Sequence, residues 1–268
     1  MATKHVPSFD HLLAMHSRAS YAVGPSVVYT LDDKITTYRF ADSLGVKRPE
    51  VLAENVPLEQ VPLNSACVLK PKVGVLSKNV FKIIDDEATE LTTNRAMPIE
   101  EMLQVLRERI TSNKVKDAWI VEGLVTDPET GGIPHDFKFY GFYGAIPLVL
   151  ETIREPEVRR CWYDGDGNLE HTTGVFDSSF FEGSGVPDGM MDLAQRISRE
   201  IPAPFIRIDF LRGSEPYLNE FTPRPGGLWE FTRRWDQKLG SYYINAQVRV
   251  ERDLVAGKEF SAYRKLHR

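Results

Sequence analysis

The chain has 268 residues, 42% hydrophobic, 26% charged and 10% aromatic, a composition that excludes collagen-like, disordered and coiled-coil classes. Thirty-three basic residues against thirty-eight acidic ones leave a net charge of −5. That balance argues against non-specific nucleic-acid binding and offers nothing to an anionic membrane surface.

The N-terminal stretch MATKHVPSFDHLLAMHSRAS lacks the apolar region of a signal peptide. No segment approaches the ~20 continuous apolar residues of a membrane span, so a cytoplasmic protein is expected. Residues 1–62 read as helical pieces and loops, with residues 34–44 (KITTYRFADSL) closed by Gly45 as a helix C-cap. From residue 65 the texture changes. ACVLK (66–70) and VFKII (80–84) are short apolar strands on either side of the loop PKVGVLSKN. Pro98 opens PIEEMLQVLRERI, in which Ile99, Met102, Leu103, Leu106 and Ile110 recur at helical spacing. WIVEGLV (119–125) reads as a buried strand, which makes residues 63–127 a small α+β lobe. Cys67 and Cys161 each lie in an apolar run without a CxxC or Cys/His neighbour and read as buried, reduced thiols.

TDPETGGIP (126–134) is the best internal boundary. After it, DFKFYGFYG and AIPLVLE are two strands joined at Gly144, and VRRCWYD turns at DGDGN (164–168). DGMMDLAQRISREI reads as a helix with Asp188 as N-cap and Met190, Ala194, Ile197 and Ile201 on one stripe. SYYINAQVRVERDLVAGKEFSAY begins helical. Strands and helices without βαβ alternation mean an α+β fold, with residues 128–268 as a larger lobe.

The chemistry concentrates in a few strands. In FIRIDFL (205–211), Ile206, Ile208 and Phe210 face one way, Arg207 and Asp209 the other. In YLNEFT (217–222), Leu218, Glu220 and Thr222 share a face. A hairpin centred between Ser214 and Glu215 sets Asp209 opposite Glu220 and Arg207 opposite Thr222. Two directly opposed carboxylates repel unless a cation lies between them. Such oxygen donors suit Mg²⁺, which fills its remaining positions with phosphate and water, and Arg207 can hold a phosphoryl group through its planar fork. The bland alternative is a solvated hairpin face with an ordinary Arg–Asp pair.

Lys70 ends a buried strand ahead of a loop carrying Lys72, Gly74, Ser77, Lys78 and Asn79. That arrangement can present a cation and backbone N–H groups to phosphates, although a lysine snorkelling out at a strand end is commoner. Asp136 and Lys138 share one face of an aromatic strand, as a site or as an edge ion pair. Glu122-Gly123 ends a buried strand and can offer backbone groups to an adenine edge, or be only a strand end. His135 reads as a base or, more commonly, as a loop histidine.

Taken in order, these segments run strand-Lys, polar loop, helix, Glu-Gly strand, DxK strand and RxD…NEFTPRPGG. The order resembles the ATP-grasp superfamily, in which two α+β lobes grip ATP between them. The match runs from about Lys34 to Gly240. Its sharpest part, IRIDFLRGSEPYLNEFTPRPGG, is similar to the superfamily's metal-binding hairpin, with Thr222 where Asn is usual. With DFKFYGFYG and WDQKLG, it resembles the branch associated with teichuronic acid biosynthesis.

The resemblance implies an ATP-grasp fold, with residues 1–62 in place of a full substrate domain, and ATP and Mg²⁺ as cofactors. It assigns Lys70, with Lys72, Ser77 and Lys78, to the nucleotide phosphates, and Asp136 and Lys138 to the phosphate and ribose region. Glu122, Gly123, Leu124 and Val125 would form the adenine hinge, and Asp209, Glu220 and Thr222 would bind Mg²⁺. Arg207 and Lys138 would act catalytically on the transferring phosphoryl group, while Arg224 and Gly226-Gly227 shape the acceptor side. The implied activity is a carboxylate–amine ligase working through an acyl phosphate. The alternatives are a kinase acting on a hydroxyl of a sugar or glycan precursor, and a non-catalytic nucleotide-binding protein. The acceptor would be a small molecule or glycan, its site built from residues 1–62, the C-terminal lobe or the second subunit of a homodimer.

Overall fold

Antiparallel pairing organises both halves of the chain in the computed structural model, which describes residues 7–24, 27–63, 66–74 and 77–267. The first six residues of the N-terminal stretch, and Val75 and Leu76 of the loop after Lys70, lie outside the described residues. In chain order the elements begin with α1 (Phe9–Val23), α2 (Lys34–Ser43), β1 (Val51–Val56), β2 (Cys67–Pro71) and β3 (Phe81–Ile84). Next come β4 (Glu87–Glu90), β5 (Arg95–Pro98), α3 (Ile99–Thr111), β6 (Trp119–Gly123) and β7 (Asp136–Gly141). The remainder are β8 (Leu148–Ile153), β9 (Arg159–Asp164), β10 (Leu169–Glu170), α4 (Met190–Arg199), β11 (Ile206–Arg212), β12 (Pro216–Thr222), α5 (Arg233–Val255) and α6 (Ser261–Arg264).

Residues 49–125 form one compact unit around a sheet of order β1-β6-β2-β3-β4-β5. Met102 and Leu106 of α3 bury against Leu69, Phe81, Ile83, Trp119 and Val121. Glu100 and Glu101 in its first turn and Arg109 in its last complement the helix dipole. Three strands of this sheet were not expected. β1 lies in the segment read as helix and loop, and it pairs with β6 through two irregularities. β4 (EATE) and β5 (RAMP) are four residues each and turn on Asp85 and Asn94, both in the left-handed region, which Asp and Asn tolerate better than other side chains.

Residues 1–48 and 126–268 form the other unit, on a sheet of order β10-β9-β8-β7-β11-β12. α4 lies against β7 and β11, α2 against β12, and α1 against α5. α4 starts at Met190 after Gly189, which stands at φ 73°, so the N-cap is this glycine rather than Asp188. α5 begins at Arg233 and therefore includes WDQKLG. Both cysteines are buried and free, and burial pushes the Cys161 thiol up to about 12. Among the described residues no helix is long and apolar enough to cross a membrane.

The β11–β12 hairpin departs from expectation in an instructive way. Its turn is residues 213–215, with Arg212 opposite Pro216, Leu211 opposite Tyr217 and Phe210 opposite Leu218. A turn centred on Ser214 would by itself set Asn219 opposite Asp209. A bulge at Asn219 absorbs one residue, after which Asp209 faces Glu220 and Arg207 faces Thr222. Leu218 therefore does not share a face with Glu220 and Thr222. It is fully buried beside Phe210, because a bulge reverses which face the following residues present.

Gly240, inside α5, meets the start of α1 so closely that a Cβ would overlap the Pro7 carbonyl. Helix propensity alone would favour alanine there by about 1 kcal/mol. The overlap reverses the sign, and Gly240→Ala is expected to lower stability by about 1–3 kcal/mol, read as a lower urea midpoint. An unchanged or raised midpoint would show that α1 and α5 can move apart freely.

Candidate functional site

Neighbouring strands β7, β11 and β12 place Asp136, Lys138, Arg207, Asp209, Glu220 and Thr222 on one face of the larger unit's sheet. Asp209 is 1% exposed. Arg207 Nε donates to its Oδ1 at 2.7 Å and Arg207 Nη2 to its Oδ2 at 2.6 Å. Lys138 Nζ adds a bond to Oδ2 at 3.0 Å and also pairs with Asp136. Arg207 Nη2 further donates to Thr222 Oγ1 at 2.8 Å, and that hydroxyl donates to Glu220 Oε1 at 3.0 Å. The face is a ladder of alternating charge, bridged by one threonine hydroxyl.

Two residues from the N-terminal segment join this ladder. Lys34 Nζ donates to the Asn219 carbonyl at 3.1 Å and to Glu220 Oε2 at 3.4 Å. Asp32 lies in the field of Glu220. Sequence reasoning missed both, although one signal was present. Lys34 is the first residue of α2, directly after the Asp33 N-cap, and a cation at a helix N-terminus opposes the macrodipole. Such a lysine needs an outside anion. Arg154 was also missed; its Nη2 lies 3.5 Å from Asp136 Oδ2.

These contacts shift protonation. Burial works against the Asp209 anion, but Arg207 and Lys138 outweigh it and hold the carboxyl below the usual carboxylate range. Glu220 behaves likewise, burial being overcome chiefly by Lys34. Burial also opposes the Arg207 charge, and Asp209 more than restores it, so its pKa moves up. Asp32 goes the other way: although exposed as a residue, its carboxyl is raised by local desolvation and then by Glu220. Burial pushes the Tyr140 hydroxyl, next to Arg207, up to about 12.

In the smaller unit, the pairing of β2 with β6 brings the Lys70 and Glu122 side chains into an ion pair, 11% and 4% exposed. The Gly123 amide donates to the Glu50 carbonyl at 2.8 Å and the Leu124 amide to the Ala66 carbonyl at 3.4 Å, so these two N–H groups are engaged within the unit. Val125 follows, half-buried. In the loop after Lys70, the Lys72 amide donates to the Ala118 carbonyl at 2.8 Å. Ser77 is left-handed, its carbonyl bonded by Thr92 Oγ1 at 2.7 Å, and Lys78 is exposed. His135 turns its ring to the fully buried Glu151, Nδ1 to Oε1 2.5 Å, on the Phe137 side of the sheet, opposite to Lys138. Arg224 reaches Ser17 Oγ at 3.2 Å, and Gly227 is left-handed.

Asp209, Glu220 and Thr222 are an all-oxygen donor set, which a hard divalent cation takes. Among the described residues no three His, Cys, Asp or Glu side chains converge as a cage. Mg²⁺ is bound without one, by one or two carboxylates with phosphate and water completing the octahedron. Asp136 Oδ1 and Thr152 Oγ1, directly across β7 and β8, are buried without a hydrogen-bond partner. The donor chemistry of Asp209, Glu220 and Thr222 fits a hard divalent cation.

The model of the TupA-like ATP-grasp family matches residues 18–244. The chain belongs to that family. No curated protein matches it in sequence. Its fold is the ATP-grasp fold of D-alanine–D-alanine ligase from Bacillus anthracis, solved with ATP. That structure has a TM-score of 0.52 and 11% identity, over 92% of this chain and 76% of the ligase. The ATP-grasp ligase PsnB, solved with a phosphomimetic variant of its minimal precursor, Mg and ADP, is similar with a TM-score of 0.50 and 12% identity. That likeness spans 88% of this chain and 67% of PsnB.

Asp209→Asn leaves Arg207 and Lys138 without their shared anion and is expected to cost about 3–5 kcal/mol at neutral pH. The folded-state pKa of Asp209 lies below its unfolded value of about 3.9. The stability it contributes is therefore present above that value and lost as pH falls through the folded pKa. Urea midpoints measured at descending pH should drop more steeply in the natural protein than in the variant. Equal midpoints at neutral pH would show that Asp209 does not hold the cluster.

Proposed function

We propose that this chain is an ATP- and Mg²⁺-dependent ligase that joins a carboxylate to an amine through an acyl phosphate and releases ADP and phosphate. We place it in the branch of the ATP-grasp superfamily associated with teichuronic acid biosynthesis, with a role in small-molecule or cell-surface polymer biosynthesis. The observation that carries this reading is Asp209 facing Glu220 across β11–β12, with Arg207 and Lys138 on the same face. The ATP in the D-alanine–D-alanine ligase structure and the Mg and ADP in that of PsnB support it.

Asp209 and Glu220 would hold Mg²⁺, with Thr222 alongside. The metal, when bound, would neutralise phosphate charge and fix the reacting oxygens. Arg207 and Lys138 would stabilise the equatorial oxygens of the transferring phosphoryl group, from a face already assembled and largely dry. Lys70 would hold nucleotide phosphates, with Lys72, Ser77 and Lys78 contributing from its loop. Glu122, Gly123, Leu124 and Val125 would meet the adenine, and Asp136 would lie with Lys138 in the phosphate and ribose region. Lys34, through Glu220, would position one metal ligand. No strong protein nucleophile is needed, since the reaction depends on positioning and charge neutralisation.

The test is ADP release with Mg²⁺-ATP across amino acids, peptides and sugars, with mass spectrometry of the products. A ligase releases ADP only when carboxylate and amine are both present, and an amide appears. A phosphate ester formed from a single acceptor would replace this reading with a kinase. Glu220→Gln should keep the fold and lose Mg²⁺-dependent turnover by on the order of 10²-fold; full activity would remove Glu220 from the metal site. Lys70→Ala should weaken ATP binding in a nucleotide titration, and an unchanged curve would count against its phosphate role.

A further inference from the structure

A second concentration of charge lies beyond the other end of β7. Residues 142–145 form a tight turn with reciprocal Phe142–Ala145 backbone bonds of 2.8 and 3.2 Å. Tyr143 stands at φ 44° and Gly144 at φ 92°, a left-handed backbone that a bulky tyrosine keeps only where its surroundings fix it. The Gly144 amide donates to Ser198 Oγ on α4 at 2.8 Å. A Cβ at Gly144 would overlap the side chain of Arg199, so the turn lies flush against that arginine.

Arg199, Arg249 and Arg252 line a cavity of about 310 Å³ with this turn and Asp253. Arg249 Nη2 donates to the Phe142 carbonyl at 2.8 Å, and Tyr143 Oη donates to Asp253 Oδ2 at 2.7 Å. Arg252 Nε is 3.6 Å from Asp253 Oδ1. Three guanidinium groups thus face one carboxylate, leaving two positive charges in the lining. Lys258, 5.3 Å from the centre of the Tyr143 ring, is itself balanced by Glu200 at 3.7 Å. Helix macrodipoles favour basic residues in a last turn, which accounts for Arg199 and Arg252 one at a time. They do not account for Arg249, a turn earlier, or for the convergence of all three on one cavity.

We propose that this cavity binds a phosphomonoester. The phosphoryl group carries a charge of about −1.5 to −2 at neutral pH, which matches the surplus in the lining. Guanidinium forks fit its oxygens in pairs. The volume exceeds that of a bare phosphate and admits an organic remainder, and it falls within the range of small-ligand sites. At Gly141, the last residue of β7, a Cβ would meet Ser198 of α4, which puts α4 on the face of the sheet opposite to Lys138 and Asp209, so this site is separate from the Asp209 face and does not depend on the activity proposed for it.

Phenyl phosphate is the probe, followed by calorimetry and by the arginine Nε–H resonances in nitrogen NMR, with phenol as the uncharged control. The expected result is saturable binding with shifts at Arg199, Arg249 and Arg252, and none with phenol. The Arg199→Gln/Arg252→Gln variant should bind roughly tenfold more weakly or worse. Arg252→Gln alone, at a side chain 74% exposed, tests the same point with no risk to folding and should also weaken binding. Unchanged affinity in these variants, equal binding of phenol, shifts at Arg207 instead, or no saturation at millimolar concentrations would each overturn the proposal.

Discussion

An ionised carboxylate almost wholly out of water is the constraint around which the larger unit is arranged. Asp209 survives there because Arg207, two residues away on the same strand, and Lys138, across the β7–β11 pairing, deliver three hydrogen bonds to its two oxygens. Removing water from a charge is expensive unless partners of this quality replace it. The cost ties together the alternation of two strands, their register and the bulge at Asn219, since a slip of one residue would carry a charge into the apolar face.

From this centre the charges alternate outward. Lys138 is shared with Asp136, Asp136 with Arg154, and Thr222 relays from Arg207 to Glu220, which Lys34 meets from the N-terminal segment. Further contacts hold that segment to the same unit, with the Leu218 amide on the Lys47 carbonyl at 2.7 Å and Tyr243 Oη beside His16 Nδ1 at 3.0 Å. Cations fixed in advance around carboxylates need no reorganisation when charge develops nearby. The same ladder that stabilises the sheet is therefore suited to phosphoryl chemistry.

Much of this was legible before folding. The RxD and NEFT strands, the DxK strand and α3 were marked by alternation or helical spacing, and the opposition of Asp209 to Glu220 followed from counting around one turn. The count reached the right pair from a turn centre displaced by half a residue, because the bulge at Asn219 compensates. It failed at Leu218, which the same bulge sends to the core. β4 and β5 escaped notice because four-residue strands with one buried apolar side chain each, Ala88 and Met97, carry no readable period. β1 was diluted by Glu54 and Asn55 in the same way. Helix α4 was visible, but its start was displaced by one residue because backbone handedness at Gly189, rather than the carboxylate of Asp188, sets its entry.

By itself the sequence determined most of the elements and the chemistry offered on most of their faces. Those depend on neighbours within a few residues, where steric and hydrogen-bonding preferences are local. Only the tertiary structure decided the partners: Lys34 for Glu220 across 186 residues, Arg212 for the buried Asp127, and Arg199 for the cavity it shares with Arg249 and Arg252. Which charges meet in space is set by the burial of apolar faces over the whole unit. Electrostatic partners are then chosen from whatever that burial brings within reach.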